Sequence, residues 1–151
     1  MSAPPLRLRP YVAADEDAAI ELWRRSWQET YPKINFAERV DWWRERWRTE
    51  LVKQARIVVA EMDGVMEGFV TIDPKTGYLD QIVVAPEFWG SNVAALLLDA
   101  GKRISPKRLD LLVNKDNARA IAFYEKHGFT LAGDDVNPVS GRPVFRMRWR
   151  P

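Results

Sequence analysis

The chain has no cysteine and only one histidine, His127. The lack of cysteine excludes disulfides, thiol nucleophiles and cysteine-ligated zinc, and it fits a reducing compartment, so we expect a cytoplasmic protein. A histidine-based metal cluster or a Ser-His-Asp triad would have to use His127, which stands beside Gly128 where a helix is expected to end. We therefore predict no metal site, and a histidine at the surface end of a helix.

Long apolar runs are also lacking. The longest wholly apolar stretch runs from Val93 to Leu98, far shorter than the roughly 20 residues that cross a bilayer. The N-terminus has no basic-then-apolar signal peptide. The net charge is only +2, without the concentrated basic patch of a nucleic-acid-binding module. We predict neither membrane nor nucleic acid as a partner, whereas the mild positive charge favours an anionic cofactor.

The length and composition predict one domain over residues 1–151, because 46% of the residues are hydrophobic and seven are tryptophan. Hydrophobic periodicity and turn signals give the order strand, two helices, three strands, helix, strand, helix, two strands. The predicted strands are 6–9, 56–62, 65–73, 78–85, 109–113, 130–133 and 143–149. The predicted helices are 15–29, 36–53, one beginning at 93 and one ending before 128.

Residues 83–98 are the most informative segment. An apolar strand ends at Pro86, a short loop with Gly90 and Ser91 follows, and an amphipathic helix begins at Val93. The first amide N–H groups of a helix have no partner inside the helix, and the helix dipole favours negative charge there. The segment therefore predicts a site for a phosphate-bearing cofactor, with a bare structural connection as the alternative.

A second segment, residues 109–129, places polar side chains on one face of the last helix. An alternating strand is followed by a helix in which Asn117 and Tyr124 lie about two turns apart. The two segments together strongly resemble the GNAT (Gcn5-related) N-acetyltransferase family. The family signature V-x-x-x-N-x-x-A-x-x-x-Y-x-x-x-G-F is met in full by Val113, Asn117, Ala120, Tyr124, Gly128 and Phe129.

The family's cofactor loop, V-x-P-x-x-[QR]-x-x-G-x-[GA], is met at Val84, Pro86 and Ala94. Trp89 replaces the usual Gln or Arg, which removes a polar side chain near the phosphates. Asn92 replaces a glycine, and its side chain either crowds the phosphate or caps the helix. These two departures keep open a rival interpretation, a non-catalytic acyl-CoA-binding or sensor domain of the same fold.

The resemblance implies an α/β (α+β) fold of the GNAT type. Its mixed, mostly antiparallel central sheet has about seven strands, is flanked by about four helices and splays between the fourth and fifth strands. It also implies acetyl-CoA as co-substrate, with its pantetheine arm paired to the fourth strand and its pyrophosphate at the loop amides. The implied cofactor-binding residues are Ile82, Val83, Val84, Trp89, Gly90, Ser91, Asn92, Val93, Ala94, Ala95, Asn117 and Tyr124.

The resemblance further implies transfer of an acetyl group to a primary amine of a small molecule or peptide, by direct attack in a ternary complex. Tyr124 is then the general acid, and core packing is its alternative role. Asn117 contacts the cofactor or caps its own helix. A carboxylate is expected to take the proton of the amine. Asp80 is the first candidate and Glu61 and Glu67 are the next, and a solvated surface carboxylate is the alternative role for each.

The acceptor is expected beside an aromatic wall on the first two helices, where Trp27 and Tyr31 are the predicted substrate-binding residues. Ordinary core packing is the alternative for each tryptophan there. The arginines at 44, 46 and 48 are expected to form a solvated face. The sequence leaves the identity of the acceptor open, and it leaves a monomer and a homodimer both open.

Overall fold

The strands and helices follow the predicted order in the computed structural model, which describes residues 5–151. The strands are β1 (Leu6–Pro10), β2 (Arg56–Met62), β3 (Val65–Ile72), β4 (Leu79–Val84), β5 (Leu109–Asn114), β6 (Phe129–Val136) and β7 (Pro143–Trp149). The helices are α1 (Glu16–Thr30), α2 (Val40–Arg46), α3 (Val52–Gln54), α4 (Val93–Ile104) and α5 (Ala118–Lys126).

The predicted second helix is built from several kinds of helical turn. A 3₁₀ turn at Phe36–Arg39 leads into α2, and a π-helical turn at Trp47–Leu51 joins α2 to α3. Because these stretches run on without a break, α1, this segment, α4 and α5 make the four helical segments that the sequence predicts. Within residues 5–151, no helix is both long and apolar enough to cross a membrane.

The first four strands form an antiparallel sheet in the order β1-β2-β3-β4. A tight turn at Asp63 and Gly64 joins β2 to β3, and both residues have positive φ, 55° and 77°. Two successive positive φ angles match the right-handed twist of the flanking strands, which explains why Asp-Gly occurs there. The predicted hairpin is confirmed.

The last three strands form a second antiparallel sheet in the order β5-β7-β6. The two sheets meet at an isolated parallel bridge between Tyr78 and Asp110, beside a 3.0 Å hydrogen bond from the Asp110 amide to the Gly77 carbonyl. No further ladder joins β4 to β5 in the described chain, so the strands diverge beyond this point. The seven strands and the splay between the fourth and fifth strands are confirmed.

Gly77 makes this junction sterically feasible. Its φ is +77°, and a Cβ built on it would lie 2.5 Å from the carbonyl oxygen of Arg108. Both observations exclude a side chain, because non-glycine residues are strained at this φ and no real Cβ contact is that short.

Two apolar clusters hold the helices against the sheets. On one face, α1, α2 and the π-helical turn pack on the first sheet through Trp23, Trp43 and Trp47, which are at most 5% exposed. Trp23 and Trp43 stack with ring centroids 4.7 Å apart. On the other face, α4 and α5 share a second cluster with both sheets. Core packing is therefore the role of these three tryptophans.

Candidate active site

The splay between β4 and β5 opens into a cleft of about 1270 Å³. One end of the cleft, the loop end, is lined by residues 89–92, 94 and 95 and by Arg119. The other end, the aromatic end, is lined by Trp27, Tyr31 and Asp80. Tyr124 lines the cleft as well, so most of the predicted cofactor, catalytic and acceptor residues share one continuous space.

The edge of β4 that faces the cleft carries unpaired backbone groups. The Ala85 amide donates to the Glu67 carbonyl, and the register pairs Val84 with Gly68 and Val83 with Phe69. Because hydrogen-bonded and non-hydrogen-bonded pairs alternate along an antiparallel ladder, the N–H and C=O groups of Ile82 and Val84 point away from β3 into the cleft. The backbone groups of Val83 point toward β3.

The Val84 carbonyl at this edge accepts two side-chain hydrogen bonds. The Ser26 hydroxyl donates to it over 2.8 Å, and the Trp89 indole N–H donates to it over 2.9 Å. Sequence reasoning missed Ser26, since a buried serine on an amphipathic helix carries no motif. Trp89 therefore does more than remove a polar side chain from the loop, because its indole rests on the open edge of the sheet.

The loop before α4 leaves donors available at the helix N-terminus. The Ser91 hydroxyl accepts a 3.3 Å hydrogen bond from the Val93 amide, so Ser91 caps the helix. Asn92 occupies the N-cap position with φ −88°, but its side chain makes no capping bond. The interpretation of Asn92 as the capping side chain was wrong. The amides of Ala94 and Ala95 have no hydrogen-bond partner among residues 5–151.

Space is also available at the loop end. Gly90 has φ +82°, and a Cβ built on it would meet no atom within 4 Å. An anionic group can therefore approach the backbone at Gly90 itself without meeting a neighbouring side chain. Arg119, in the first turn of α5, lies across the loop with its guanidinium carbon 3.7 Å from the centre of the Trp89 ring.

Tyr124, on α5, lines the cleft and is buried. It is 7% exposed and packs against Phe123 and Phe129, with ring centroids 5.5 Å and 5.4 Å away. Burial raises the pKa of the Tyr124 phenol above its ordinary value, and the positive charge of Arg119 opposes part of that shift. The hydroxyl therefore keeps its proton at neutral pH.

Asn117 caps α5. Its side-chain oxygen accepts a 3.3 Å hydrogen bond from the Ala120 amide, and the residue also lines the cleft. The capping role that the sequence left open is thus present. His127 ends the same helix, half-buried with its ring centroid 4.6 Å from that of Phe123, rather than fully at the surface. Residues 5–151 hold no cluster of three or more metal-binding side chains.

A β-bulge brings Asp80 and Gln81 to one side of β4. Thr71 pairs with Gln81 while Ile72 pairs with Leu79, so Asp80 is the extra residue. The Gln81 side-chain amide donates to the Asp80 carboxylate over 3.2 Å. Sequence alternation alone would have placed these two side chains on opposite faces of the strand.

Asp80 is held by an arginine of α2. The two terminal nitrogens of Arg46 each bond a different oxygen of the Asp80 carboxylate, in a pair whose side chains are 22% and 14% exposed. The expected solvated face of arginines is therefore wrong for Arg46. Arg44 and Arg48 instead both pair with Glu16 at the start of α1.

The two reserve candidates for the base do not line the cleft. Glu61 pairs with Arg7 and Arg9 on the edge formed by β1 and β2. Glu67 lies on β3, where burial and the nearby Glu87 raise the pKa of its carboxyl. Of the three carboxylates, the structure places only Asp80 in the cleft.

The predicted acceptor residues form a wall at the aromatic end. Trp27 and Tyr31 stack with ring centroids 5.9 Å apart, and the Trp27 indole N–H donates to the Gln81 side chain over 3.4 Å. The Tyr31 hydroxyl donates to Asp116 over 2.8 Å and accepts from Asn114 over 2.9 Å. Tyr31 thereby links the end of α1 to the end of β5 and closes one side of the cleft.

Sequence comparison identifies the family. The profile of the acetyltransferase (GNAT) family matches residues 16–129, about three quarters of the chain. The chain belongs to the GNAT family. It is therefore an acyltransferase, as the motifs at 84–94 and 113–129 predict.

Individual relatives agree with this assignment. The peptidyl-lysine N-acetyltransferase YjaB of Salmonella typhimurium is 26% identical over 125 residues, which cover 82% of this chain and 83% of the relative. The 5-NmdU N-acetyltransferase of Pseudomonas phage PaMx11 is 38% identical over 92 residues, which cover 53% of this chain and 61% of the relative.

A solved structure shares the fold. The PaiA N-acetyltransferase from Thermoplasma acidophilum, in complex with coenzyme A, aligns with a TM-score of 0.80 at 21% sequence identity. The alignment covers 97% of this chain and 99% of that protein. The GNAT fold is therefore present over nearly the whole chain.

Proposed function

We propose that this GNAT protein transfers an acetyl group from acetyl-CoA to a primary amine of a small molecule or peptide. One observation carries the proposal. The open edge of β4, at Ile82 and Val84, lies in a single cleft that connects the partnerless amides of α4 with the aromatic end. An extended substrate arm paired to this edge would have an anion site at one end and a second substrate's pocket at the other.

The residues of the loop end fit the phosphates of acetyl-CoA. The free amides of Ala94 and Ala95 and the dipole of α4 favour an anion, and Gly90 leaves its approach clear. We assign the cofactor-binding role to Ile82, Val83, Val84, Trp89, Gly90, Ser91, Asn92, Val93, Ala94, Ala95, Asn117 and Tyr124. In this set the backbone groups of Ile82 and the amide of Val84 pair with the substrate arm, because the Val84 carbonyl already accepts from Ser26 and Trp89, and Val83 supplies packing.

Tyr124 is proposed to donate a proton to the departing thiolate. When bound, acetyl-CoA supplies a thioester whose carbonyl carbon an amine can attack, and the sulfur leaves as the amide forms. The raised pKa of the Tyr124 phenol keeps the hydroxyl protonated at neutral pH, so that it can donate a hydrogen bond to the sulfur as negative charge develops there. Because a thiol has an ordinary pKa of about 8.5, the thiolate is a fair leaving group and the help that it needs is modest.

Asp80 is proposed to receive the proton of the attacking amine, directly or through water. A lysine-like ammonium has an ordinary pKa of about 10.4 and must lose a proton before it can attack. Asp80 stands beside Gln81, the hydrogen-bond partner of Trp27, and so at the wall where Trp27 and Tyr31 are proposed to hold the acceptor. The chain has no cysteine to carry an acetyl group, so direct attack in a ternary complex is proposed.

The relatives support an amine as acceptor. Two of them are named as N-acetyltransferases, of peptidyl lysine and of 5-NmdU, and the prefix N- in both names indicates nitrogen as the acetylated atom. For the present chain this supports the reaction type and leaves the acceptor to be found among small amines and peptides.

A screen tests the proposal. Acetyl-CoA should raise the melting temperature, because a ligand that binds only the folded state stabilises it. Thiol release should then be followed across a panel of primary amines and lysine- or N-terminus-bearing peptides. Acceptor-dependent release of CoA supports the transferase. A thermal shift with no thiol release from any acceptor would favour the acyl-CoA sensor, and no shift at millimolar acetyl-CoA would contradict both.

A further inference from the structure

Arg119 is a cation in the cleft without a carboxylate partner. Within residues 5–151, no Asp or Glu oxygen lies within 4.0 Å of its side-chain nitrogens, although 14 ion pairs form elsewhere in this range. Of the other arginines that line the cleft, Arg46 pairs with Asp80 and Arg142 pairs with Asp116, whereas Arg39, over Phe36, is also without a carboxylate partner in this range. A positive charge left unpaired beside a helix N-terminus is available to an anion.

The guanidinium of Arg119 is also held in place. Its central carbon lies 3.7 Å from the centre of the Trp89 ring, which is a cation–π contact. Trp89 is itself fixed by its hydrogen bond to the Val84 carbonyl. Burial against this neighbour lowers the pKa of Arg119 from its ordinary value, which an incoming anion would offset.

The position of Trp89 in the cofactor loop makes its contact with Arg119 relevant to phosphate binding. In the family's cofactor loop that position carries Gln or Arg. In this chain it carries Trp89, whose uncharged indole cannot form an ion pair with a phosphate. We propose that Arg119 binds a phosphate group of CoA and replaces the polar side chain that the loop lacks, with Trp89 as the platform that positions it. The inference rests on the proposed function, because it concerns the same cofactor.

Two kinds of group would bind phosphate within one site. The amides of Ala94 and Ala95 would hold phosphate through fixed backbone dipoles, whereas Arg119 would add a full charge from a second helix, α5. An arginine has donors arranged to meet two phosphate oxygens at once, so the contact would be stronger than that of a lone amide.

Equilibrium titration of three ligands tests the proposal: acetyl-CoA, its 3′-dephospho form, and S-acetylpantetheine, which has no phosphate. The variants are Arg119→Gln, Arg119→Lys and, as the matched control, Arg103→Gln. Arg103 is an exposed arginine of α4 outside the cleft, so its loss changes net charge equally. We expect Arg119→Gln to weaken acetyl-CoA binding about tenfold, Arg119→Lys to weaken it less, and the control to stay within twofold.

The fragment ligands decide whether a phosphate is involved. Binding of S-acetylpantetheine should be equal in the native protein and Arg119→Gln. A tenfold loss that persists with the 3′-dephospho ligand assigns the contact to the diphosphate, and a loss that disappears assigns it to the 3′-phosphate. Unchanged acetyl-CoA binding in Arg119→Gln, or an equal loss for S-acetylpantetheine, would overturn the proposal while leaving the proposed function intact. Failure of the native protein to bind acetyl-CoA would overturn both.

Discussion

The two ends of the cleft differ in how they treat charge. At the aromatic end, Arg46 is paired with Asp80 and Arg142 with Asp116, and Arg39, which lies over Phe36, has no carboxylate partner in the described chain. At the loop end, Arg119 has no carboxylate partner in the described chain, and two amides of α4 are free. Ion pairs hold side chains in place, whereas donors without a partner remain available to a ligand. Free backbone amides beside an unpaired arginine occur together only at the loop end of the described cleft, which is why we propose that end for the anion.

The largest expected effect comes from breaking the pair at the aromatic end. Asp80→Asn leaves the Arg46 guanidinium mostly enclosed with only Glu50 as partner, which should cost about 3 kcal/mol of unfolding free energy. If Asp80 receives the amine proton, turnover should also fall about 100-fold in the folded fraction. Chemical denaturation and steady-state kinetics measure the two effects separately.

Arg46→Met is the matched variant, because it breaks the same pair and keeps the carboxylate. A similar loss of stability with much of the turnover retained would assign catalysis to Asp80 alone. Equal loss of turnover in both variants would mean that the Arg46–Asp80 pair supports the structure of the wall and that Asp80 has no separate role as a base.

A smaller effect is expected at Tyr124, between the two ends. Tyr124→Phe keeps the ring packing and removes only the hydroxyl, so acetyl-CoA affinity should change little while turnover falls by up to about 100-fold. Because burial raises the phenol pKa, the acid form persists as pH rises, and native turnover should show no loss from Tyr124 ionisation up to pH ~10. If turnover of Tyr124→Phe is unchanged while the chemical step limits its rate, Tyr124 is not the general acid, and water supplies the proton.

The smallest effect tests whether the loop end must stay open. Gly90→Ala should destabilise the protein by about 1 kcal/mol, because φ +82° strains any residue with a Cβ. Gly64→Ala is the control, since Gly64 has φ +77°, equally free surroundings and a place in the β2–β3 hairpin. We expect similar melting temperatures and weaker acetyl-CoA binding only in Gly90→Ala. Equal affinities would mean that the phosphates do not approach Gly90.

Much of the fold could be predicted because its signals are local. The Asp63–Gly64 turn, the alternating strands and the signature from Val113 to Phe129 each depend on neighbours in sequence, and the structure has the corresponding elements. The strand 143–149 agrees with β7 at both ends, whereas β6 extends beyond the predicted 130–133 because its pairing with β7 decides its length.

The parts of the site that the sequence did not reveal depend on distant pairings. The bulge that turns Asp80 and Gln81 to the same side arises from the register of β4 against β3, about ten residues earlier. The contacts of Arg46 with Asp80 and of Arg119 with Trp89 join residues 34 and 30 positions apart, respectively. Composition and periodicity carry no information on such contacts, so the charge balance of the cleft became visible only in the structure.

The open edge at Ile82 and Val84 has a consequence for strand pairing between molecules. Unpaired strand edges invite other chains to add a strand, and proteins commonly guard them with charge or proline at the surface. Here Ser26 and Trp89 already bond the Val84 carbonyl. Two side chains of the same molecule therefore occupy part of the edge, and a second sheet would have to displace them before it could pair along the whole edge.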